Sequence, residues 1–513
     1  MKAFRGIQAL PPDDPDSFYC IAGFHGTPYR PPGKGDDPEK WWGGYCHHED
    51  VLFPMWHRVY LLRLENALRK VDGCENVRIP FWDELLAYQP SPLPGPPPAH
   101  VPVILTSPEF EGGPNPLYSY RLQRGFGPFG KGERYVKPAG YETVRYPLSG
   151  LVGTWEDAEA SMLHNANFPT QEGRVEVLNG NVANWLSGVQ IPDDDNKPPT
   201  PRPTDVTSVY ERFKKCLEAP NYTVFSNTRS QSHYNTNLSS ADTIVVSLES
   251  PHNSIHLAVG GFYQKGAYNA SPIRGANGDL GANEVAGFDP IFFLHHGFID
   301  YAFWTWQKKH KRTAVGSITI DAHYPGAKTN VGLPVPPGAP PMPDGTSLTL
   351  DTPLYPFQKP DGTTYFASKD LVDIKNQLGY DYDRGSLDNA LLGQLYGIPP
   401  REVPIMQKIS GINRSDYFGS FVVRLYGYSS KRKDELVEVG REAVLSRLKL
   451  SDCANCQNSL EQEFFIPVHQ DLVPLLEKDE SDDTNFRTVV GIHTYDREEF
   501  PAGKDKVPLV VKM

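Results

Sequence analysis

Two neighbouring stretches, ESPHNSIHLAVGG at Glu249–Gly261 and FDPIFFLHHGFID at Phe288–Asp300, decide how the chain is read. His252 and His256 stand four residues apart, so on a helix both rings leave one face a turn apart and can reach one metal ion. The second stretch predicts another helix, with Asp289 as N-cap and Pro290 as its first residue. Phe292, His296, Asp300 and Trp304 then recur at i+4 as one stripe. Two helices thus offer three imidazoles around one point, which is half of a site.

The other half lies upstream. DSFYCIAGFHGTPYR (Asp16–Arg30) is an apolar helical segment that ends in glycine and carries His25. It is followed by WWGGYCHHEDVLFPMWHRVYLLRLENALRK (Trp41–Lys70), where Pro54 opens a helix with apolar positions at Trp56, Val59, Tyr60, Leu62, Leu64 and Leu68. His57 falls in its first turn and His48 in the loop before it, giving a second trio of His25, His48 and His57. IPFWDELL (Ile79–Leu86) is expected to bury its aromatics on that helix. Helical patterns are also expected at Asn179–Leu186, at Thr207–Leu217 and in KDLVDIKNQLGYDYD (Lys369–Asp383). From Glu402 the pattern changes: FVVRLYGY and ELVEVG alternate at period two between polar turns, which predicts a β-rich C-terminal domain. The expected division falls between Tyr382 and Arg401, with residues 1–390 mainly helical and residues 391–513 all-β.

Composition removes several function classes. The formal charge of −12 argues against a nucleic-acid partner. No run of eighteen apolar residues occurs, so no helical membrane span is expected. The N-terminus lacks the basic-then-apolar order of a secretion signal, and a cytoplasmic location is the expectation. Six scattered cysteines make a disulfide framework unexpected, with only Cys453 and Cys456 suggestively spaced.

Six candidate imidazole ligands with no carboxylate among them are informative about the metal. Zinc hydrolases mix histidine with Asp, Glu or Cys, and the helical zincin motif needs Glu where this chain has Asn253. Non-haem iron oxygenases want two histidines and a carboxylate, whereas imidazole-only sites suit copper. Neutral ligands leave the metal charge uncompensated, so a paired site would stabilise a bridging anion such as peroxide or hydroxide, the demand of dioxygen activation.

The motifs GFHG, CHHEDVLFPMWHR, SPHNSIH and FDPIFFLHH together make the chain resemble the tyrosinases of the type-3 copper family over almost its whole length. The resemblance implies a catalytic domain built on a four-helix bundle and a β-sandwich lid. It implies that His25, His48 and His57 hold one copper ion and His252, His256 and His296 a second, with O2 taken up as a bridging peroxide. Adjacent residues on a helix point about 100° apart, so only one of His295 and His296 is expected to bind, and the family pattern selects His296. Cys46, two before His48, is implied to form a thioether to that ring, with His47 a bystander. Glu249 and Asn253 are implied to hold a water that deprotonates a phenol, a general-base step; helix N-terminal capping is the other reading of Glu249. Leu257 would help form the mouth of the site, and Asn283 lies where the family places a residue over the first copper. Asp300, Asp289, Arg58 and Glu65 are candidates to orient the histidines, although a structural ion pair is the commoner role of each.

The resemblance extends to the C-terminal domain, which is similar to the shielding domain of tyrosinase proenzymes. Leu445, Phe464 and Phe465 are candidates for an apolar plug over the copper entrance, or else β-core residues. Cys453-Ala-Asn-Cys456 matches a CxxC implied to deliver Cu(I), a disulfide or half of a zinc site being the alternatives. Tyr380 and Tyr382 close the catalytic domain in the family, and their anchoring here is open. The expected activity is O2-dependent ortho-hydroxylation of monophenols and oxidation of o-diphenols to o-quinones, on small phenols such as tyrosine and catechols, feeding melanin-like pigment. A catechol oxidase without monophenol hydroxylation is the nearest rival, and a haemocyanin-like oxygen carrier the rival of another class. The sequence leaves open whether the chain forms a homo-oligomer.

Overall fold

The structure is a computed structural model that describes residues 1–26, 44–88, 100–125, 136–188, 206–238, 244–261, 278–329, 335–336, 339–391, 405–417, 419–432, 434–447, 450, 454–480, 485–494, 498–499 and 509–512. Three helices form its centre: Phe53–Arg69, Glu249–Gly260 and Ile291–Lys309. The Ile291–Lys309 helix is buried from Ile291 to Gln307 on every face, which explains why its apolar residues surround it rather than forming one stripe. Each of its phenylalanines fully removed from water stabilises the fold by about 1.5–3 kcal/mol. A short helix, Phe18–Gly23, is capped by Ser17, whose Oγ accepts from Cys20 N at 3.0 Å, and it delivers His25 just beyond its end.

Two glycines permit the close approaches on which this centre depends. A Cβ on Gly26 would stand 2.0 Å from the Glu284 carbonyl oxygen, so only glycine lets the His25 loop lie against residues 283–284. A Cβ on Gly260 would stand 1.9 Å from Gly281 N, so the end of the His252/His256 helix also touches backbone directly.

Several local expectations are corrected. The helix carrying His296 begins at Ile291 with Pro290 in the cap position, one residue later than expected. Asp289 still accepts from Ile291 N at the helix start, at 3.2 Å, and also accepts from Arg145 through both carboxylate oxygens, at 2.6 and 2.8 Å. The aromatics of the Ile79–Leu86 segment pack on the Ile291–Lys309 helix, with Phe81 stacked on Tyr301 at 4.8 Å and Trp82 N donating to Leu294 O at 3.0 Å, while Ile79 N donates to Glu65 Oε2 of the first histidine helix at 2.9 Å, so the segment touches both. Residues 369–383 form one 3-10 turn, Ser368–Asp370, and then turns rather than a helix. The reason is local competition: Asp373 Oδ1 accepts from Lys375 N and Asn376 N, closing an Asx-type turn in place of a helical repeat. The helices expected at Asn179–Leu186 and Thr207–Leu217 run from Gln171 to Ser187 and from Val209 to Cys216.

Strands from residue 405 onward form two antiparallel sheets. One has the order Glu498–Glu499, Thr488–Thr494, Phe421–Tyr428, Leu436–Val444; the other Leu509–Lys512, Ile405–Asn413, Glu461–Val468. Ile409, Phe464 and Ile466 of the second sheet share a core with Phe421, Val423, Val439 and Ile492 of the first. Along Phe421–Tyr428 the period-two alternation serves two cores: Phe421, Val423 and Leu425 face the β core, whereas Val422 joins the core of the helices. Ala443 and Leu445 do the same beside Val444. The sheets are therefore packed onto the helices, and buried polar contacts fix them there. Arg414 Nη1 meets Glu49 Oε2 at 2.8 Å, Arg212 pairs with Glu442, and Ser420 Oγ donates to Gly281 O at 3.0 Å.

Tyr380 and Tyr382 find their anchor on the Ile291–Lys309 helix. Their hydroxyls donate to Asp300 Oδ2 at 2.7 and 2.6 Å, while Arg58 Nε donates to Asp300 Oδ1 at 2.6 Å. One carboxylate thus ties the Phe53–Arg69 helix to the chain segment that leads out of the helical region.

Candidate metal centre

The sequence brings four groups to the second cluster. His252, His256, His295 and His296 are all buried, each with a nitrogen within 4.8 Å of the others. His252 and His256 leave one face of the Glu249–Gly260 helix, as their spacing demands. His256 Nδ1 lies 2.8 Å from Leu280 O and His252 Nδ1 2.9 Å from Asn253 Oδ1. Both partners are oxygens that only accept, so Nδ1 carries the proton on each ring and Nε2 presents a lone pair. His296 Nε2 then lies 3.3 Å from His252 Nε2 and 3.4 Å from His256 Nε2. Nitrogens about 2.0–2.1 Å from a shared tetrahedral ion are separated by about 3.3–3.4 Å. The His252 and His256 lone pairs thus converge with the His296 nitrogen at the spacing a shared ion requires, so the donor set fits a metal ion.

His295 lies nearer this cluster than a 100° divergence from its neighbour suggests. Its ring centroid is 4.9 Å from that of His256 and 5.2 Å from that of His252. Its Nδ1 is taken by the carboxyl of Glu84, a buried group whose pKa burial raises far above the ordinary range. Sequence reasoning missed Glu84 because it sits 211 positions from His295, in a segment whose aromatics pack on a different helix from the one expected.

The first cluster gathers His25, Cys46 and His48 with ligand atoms within 4.8 Å. His57 stands beside them, its ring centroid 5.7 Å from His25 and 5.3 Å from His48. His25 Nδ1 is held 3.1 Å from Asn283 O and His57 Nδ1 2.8 Å from Phe53 O, which again turns Nε2 inward as a lone pair. The Nε2 atoms of His25 and His57 and both nitrogens of His48 are buried without a hydrogen-bond partner. Buried polar atoms are seldom left so, and a metal ion would satisfy them. The two clusters share one chamber, since His57 and His296 stack at 4.4 Å and His48 lies 5.7 Å from His252. Burial holds these rings neutral, pulling His57 down to about 3 and His256 to about 4, which is the protonation state a metal needs.

Cys46 is a buried cysteine outside any disulfide whose Sγ lies 3.7 Å from Arg447 Nη2, and burial raises its thiol pKa. His47 bonds Asp50 at 2.8 Å and stays apart. None of Asp300, Asp289, Arg58 and Glu65 bonds a cluster histidine among the described residues. Asp300 pairs with Arg58, Asp289 with Arg145 and Glu65 with Arg69, and the rings are oriented mainly by backbone carbonyls instead. Carbonyls carry no side-chain signature, so no sequence signal could have found them.

Glu249 is fully buried at the start of its helix. Its Oε1 accepts from Glu49 N at 2.8 Å, and its Oε2 accepts from Thr228 N at 3.0 Å and Thr228 Oγ1 at 3.1 Å. It therefore satisfies the first N–H of the neighbouring Thr228–Thr236 helix, whose N-cap is Asn227, rather than capping its own. Burial, with Glu49 nearby, pushes its pKa up to about 8. Asn253 lines a cavity of about 620 Å³ between the helices and the C-terminal sheets, and Phe464 and Phe465 form part of the opposite wall. Leu445 lies in the core shared with the helices, its carbonyl held 2.9 Å from Arg414 Nη2. Leu257 is fully buried in that core and is not among the residues lining this cavity. Cys456 is buried and disulfide-bonded, while Cys453 lies outside the described residues.

A helical body with two imidazole clusters facing one chamber is the architecture of a binuclear metal oxidase. Residues 15–309 match the family model "Tyrosinase: Common central domain of tyrosinase", more than half of the chain. A tyrosinase of Hahella sp. is 41% identical over 94% of this chain and 86% of its own length. A tyrosinase of Aspergillus oryzae is 38% identical over 97% of this chain and 90% of its own. The solved tyrosinase of Burkholderia thailandensis at low pH superposes with a TM-score of 0.75 and 40% identity, covering 95% of this chain and 89% of that one. The chain belongs to the tyrosinase family, the copper-dependent phenol oxidases. Among the described residues no helix is long and apolar enough to cross a membrane.

Proposed function

We propose that the chain is a tyrosinase in the full sense, hydroxylating monophenols and oxidising o-diphenols to o-quinones that feed melanin-like pigment, and that it is made in a shielded form. The observation that carries this is the pairing of two sets of buried, neutral imidazoles across one chamber, with ring nitrogens in both sets left without a hydrogen-bond partner. His25, His48 and His57 would hold one copper ion and His252, His256 and His296 the other. When bound, the copper pair supplies the two-electron redox chemistry by which O2 is reduced.

The chain's own residues then supply orientation and proton transfer. Asn253 Oδ1 fixes the His252 tautomer, which leaves its amide nitrogen to donate to a water at the cavity wall. Glu249, with a pKa raised into the neutral range, is suited to accept the proton a phenol loses through that water. Cys46 is close enough to the rings of the first cluster to support a thioether to His48, which would hold that ring before metal arrives. Residues 1–390 form the catalytic domain on a four-helix bundle, and residues 391–513 a β-sandwich lid. Leu445 is the cover over the site, since it alone of the three candidates packs in the core of the helices; Phe464 and Phe465 wall the adjoining cavity. Copper delivery through Cys453 and Cys456 belongs to the reduced pair, because a disulfide offers no thiolate.

The test is copper loading of the full chain followed by limited trypsin cleavage at Arg401, with 4-tert-butylphenol and 4-tert-butylcatechol assayed before and after. Both substrates should be oxidised, and much faster after cleavage. Turnover of the catechol alone would make the protein a catechol oxidase, and equal rates before and after would remove the shielding.

A further inference from the structure

Three donors fix the Glu249 carboxylate, and one of them is held in a backbone conformation that its residue type disfavours. Thr228 N and Oγ1 hold Oε2, and the N–H of Glu49 holds Oε1 at 2.8 Å. Glu49 has a φ of 59°, in the left-handed region, where the Cβ of an L-residue crowds the following carbonyl oxygen. Glycine is the ordinary occupant of that region, and a buried glutamate an uncommon one.

The side chain supplies the reason for the exception. Arg414 Nη1 meets Glu49 Oε2 at 2.8 Å in a pair largely removed from water, and Arg414 is itself anchored on Leu445 O at 2.9 Å. The ion pair therefore clamps the turn while its N–H points at Glu249. Glu49 directly follows His48 of the first cluster, and Glu249 stands one turn before His252 of the second. The hydrogen bond between them thus ties the two halves of the metal centre together at the carboxylate. With the Glu49 N–H turned away, Oε1 would lose its one donor among the described residues, and the carboxyl could swing about its Thr228 anchor.

We propose that Glu49 is a positioning residue for monophenol hydroxylation: its left-handed backbone aims an N–H at Glu249 and so fixes the carboxylate that takes the phenol proton. This rests on the proposed function, in which Glu249 is that base. Residue 49 reaches Glu249 through its φ rather than its charge, so variants rank by tolerance of the left-handed region. Glu49→Gly keeps the N–H aimed without help from Arg414, Glu49→Ala does not, and Glu49→Asn, whose new residue type visits that region, follows glycine.

Glycine and alanine both lack the carboxylate, so comparing them isolates the backbone. The first measurement is hydrogen exchange at residue 49 in the copper-free full chain. After correction for intrinsic rates, the amide should exchange about tenfold faster in Glu49→Ala than in Glu49→Gly. Glu249→Ala should speed it at least as much in the otherwise unmodified chain. The second measurement, with copper loaded, is kcat/KM for 4-tert-butylphenol divided by that for 4-tert-butylcatechol, which should be about tenfold lower in Glu49→Ala than in Glu49→Gly. A merely structural role would disturb His48 and slow both substrates alike, leaving the ratio where it was. Equal exchange in the two variants, or ratios within twofold of each other, would overturn the assignment. If the unmodified, copper-loaded protein oxidises the catechol and not the phenol, the proposed function falls instead, and the exchange result alone judges whether Glu49 holds Glu249.

Discussion

Replacing Arg414 by Met should release the shielded state without cutting the chain. The Arg414 side chain is 2% exposed and Glu49, its partner at 2.8 Å, is 10% exposed, so the pair is buried only while the C-terminal sheets are docked. Arg414 Nη2 also holds Leu445 O at 2.9 Å, the residue proposed to cover the site. Removing one member of a buried pair costs about 3–5 kcal/mol, because the other charge stays buried and uncompensated. Glu49 regains water on undocking, so the penalty falls on the docked form alone. Taking the lower end because Glu49 is not fully enclosed, a loss of about 3 kcal/mol shifts the docking equilibrium by about a hundredfold. The assay is the rate of 4-tert-butylcatechol oxidation after trypsin divided by the rate before. Arg414→Met should bring this ratio down toward one by raising the uncut rate, with the circular dichroism of the folded protein retained. Arg432→Met, which breaks an ion pair whose Arg432 side chain is 61% exposed, serves as the control and should change nothing. A folded Arg414→Met protein with an unchanged ratio would refute the reasoning.

Other perturbations follow from the same contacts. Asp300→Asn leaves Arg58, whose side chain is 0% exposed, without its charge partner and should cost about 3–5 kcal/mol in a urea titration; a loss under 1 kcal/mol would contradict the assigned role. Below pH 6.5 the unfolded copper-free chain takes up protons that His57 and His256, held near 3 and 4, refuse. Their contribution is therefore complete above pH 6.5 and is lost as pH falls toward 4, and a urea midpoint that does not drop between pH 7 and pH 5 would be inconsistent with it. Glu249 acts with the opposite sign. Its folded pKa near 8 means that it keeps a proton the unfolded chain releases above 4.5, so its own contribution declines as pH rises from 4.5 to 8 and partly offsets the histidines, and Glu249→Gln should deepen the drop in urea midpoint between pH 7 and pH 5. The same variant should lose about a hundredfold or more in monophenol hydroxylation while oxidising catechols within about threefold of the unmodified rate; equal loss on both substrates would remove Glu249 as the base.

The parts of the site that were legible are those whose signal is local. His252 and His256 announce a shared face by their spacing, and the switch to period two after Glu402 announces strands. What escaped was set by distant partners. Leu280 and Asn283 orient two rings through carbonyls that any residue could provide. Glu84 reaches His295 because Ile79–Leu86 docks on a helix far away in sequence, a choice that apolar content does not encode. Residues 369–383 carry an apolar spacing suited to a helix, yet Asp373 closes a turn on its own neighbours. Glu249 joins the two kinds: its place one turn before His252 was visible, but its bonds to Glu49 and Thr228 lie on other elements.

The Tyr380 and Tyr382 contacts with Asp300 bear on what happens when the chain is severed. Beyond them, Ser386 N donates to Asp83 Oδ2 at 2.8 Å and Asp388 accepts from the Tyr301 hydroxyl at 2.9 Å, so the chain is riveted to the Ile291–Lys309 helix and to the segment docked on it as far as that turn. A protease that cuts after residue 391 therefore creates a loose end only on the far side of the rivets. The new terminus cannot peel back into the helix that carries His296, and loss of the C-terminal sheets can be an act of maturation rather than the first step of unravelling.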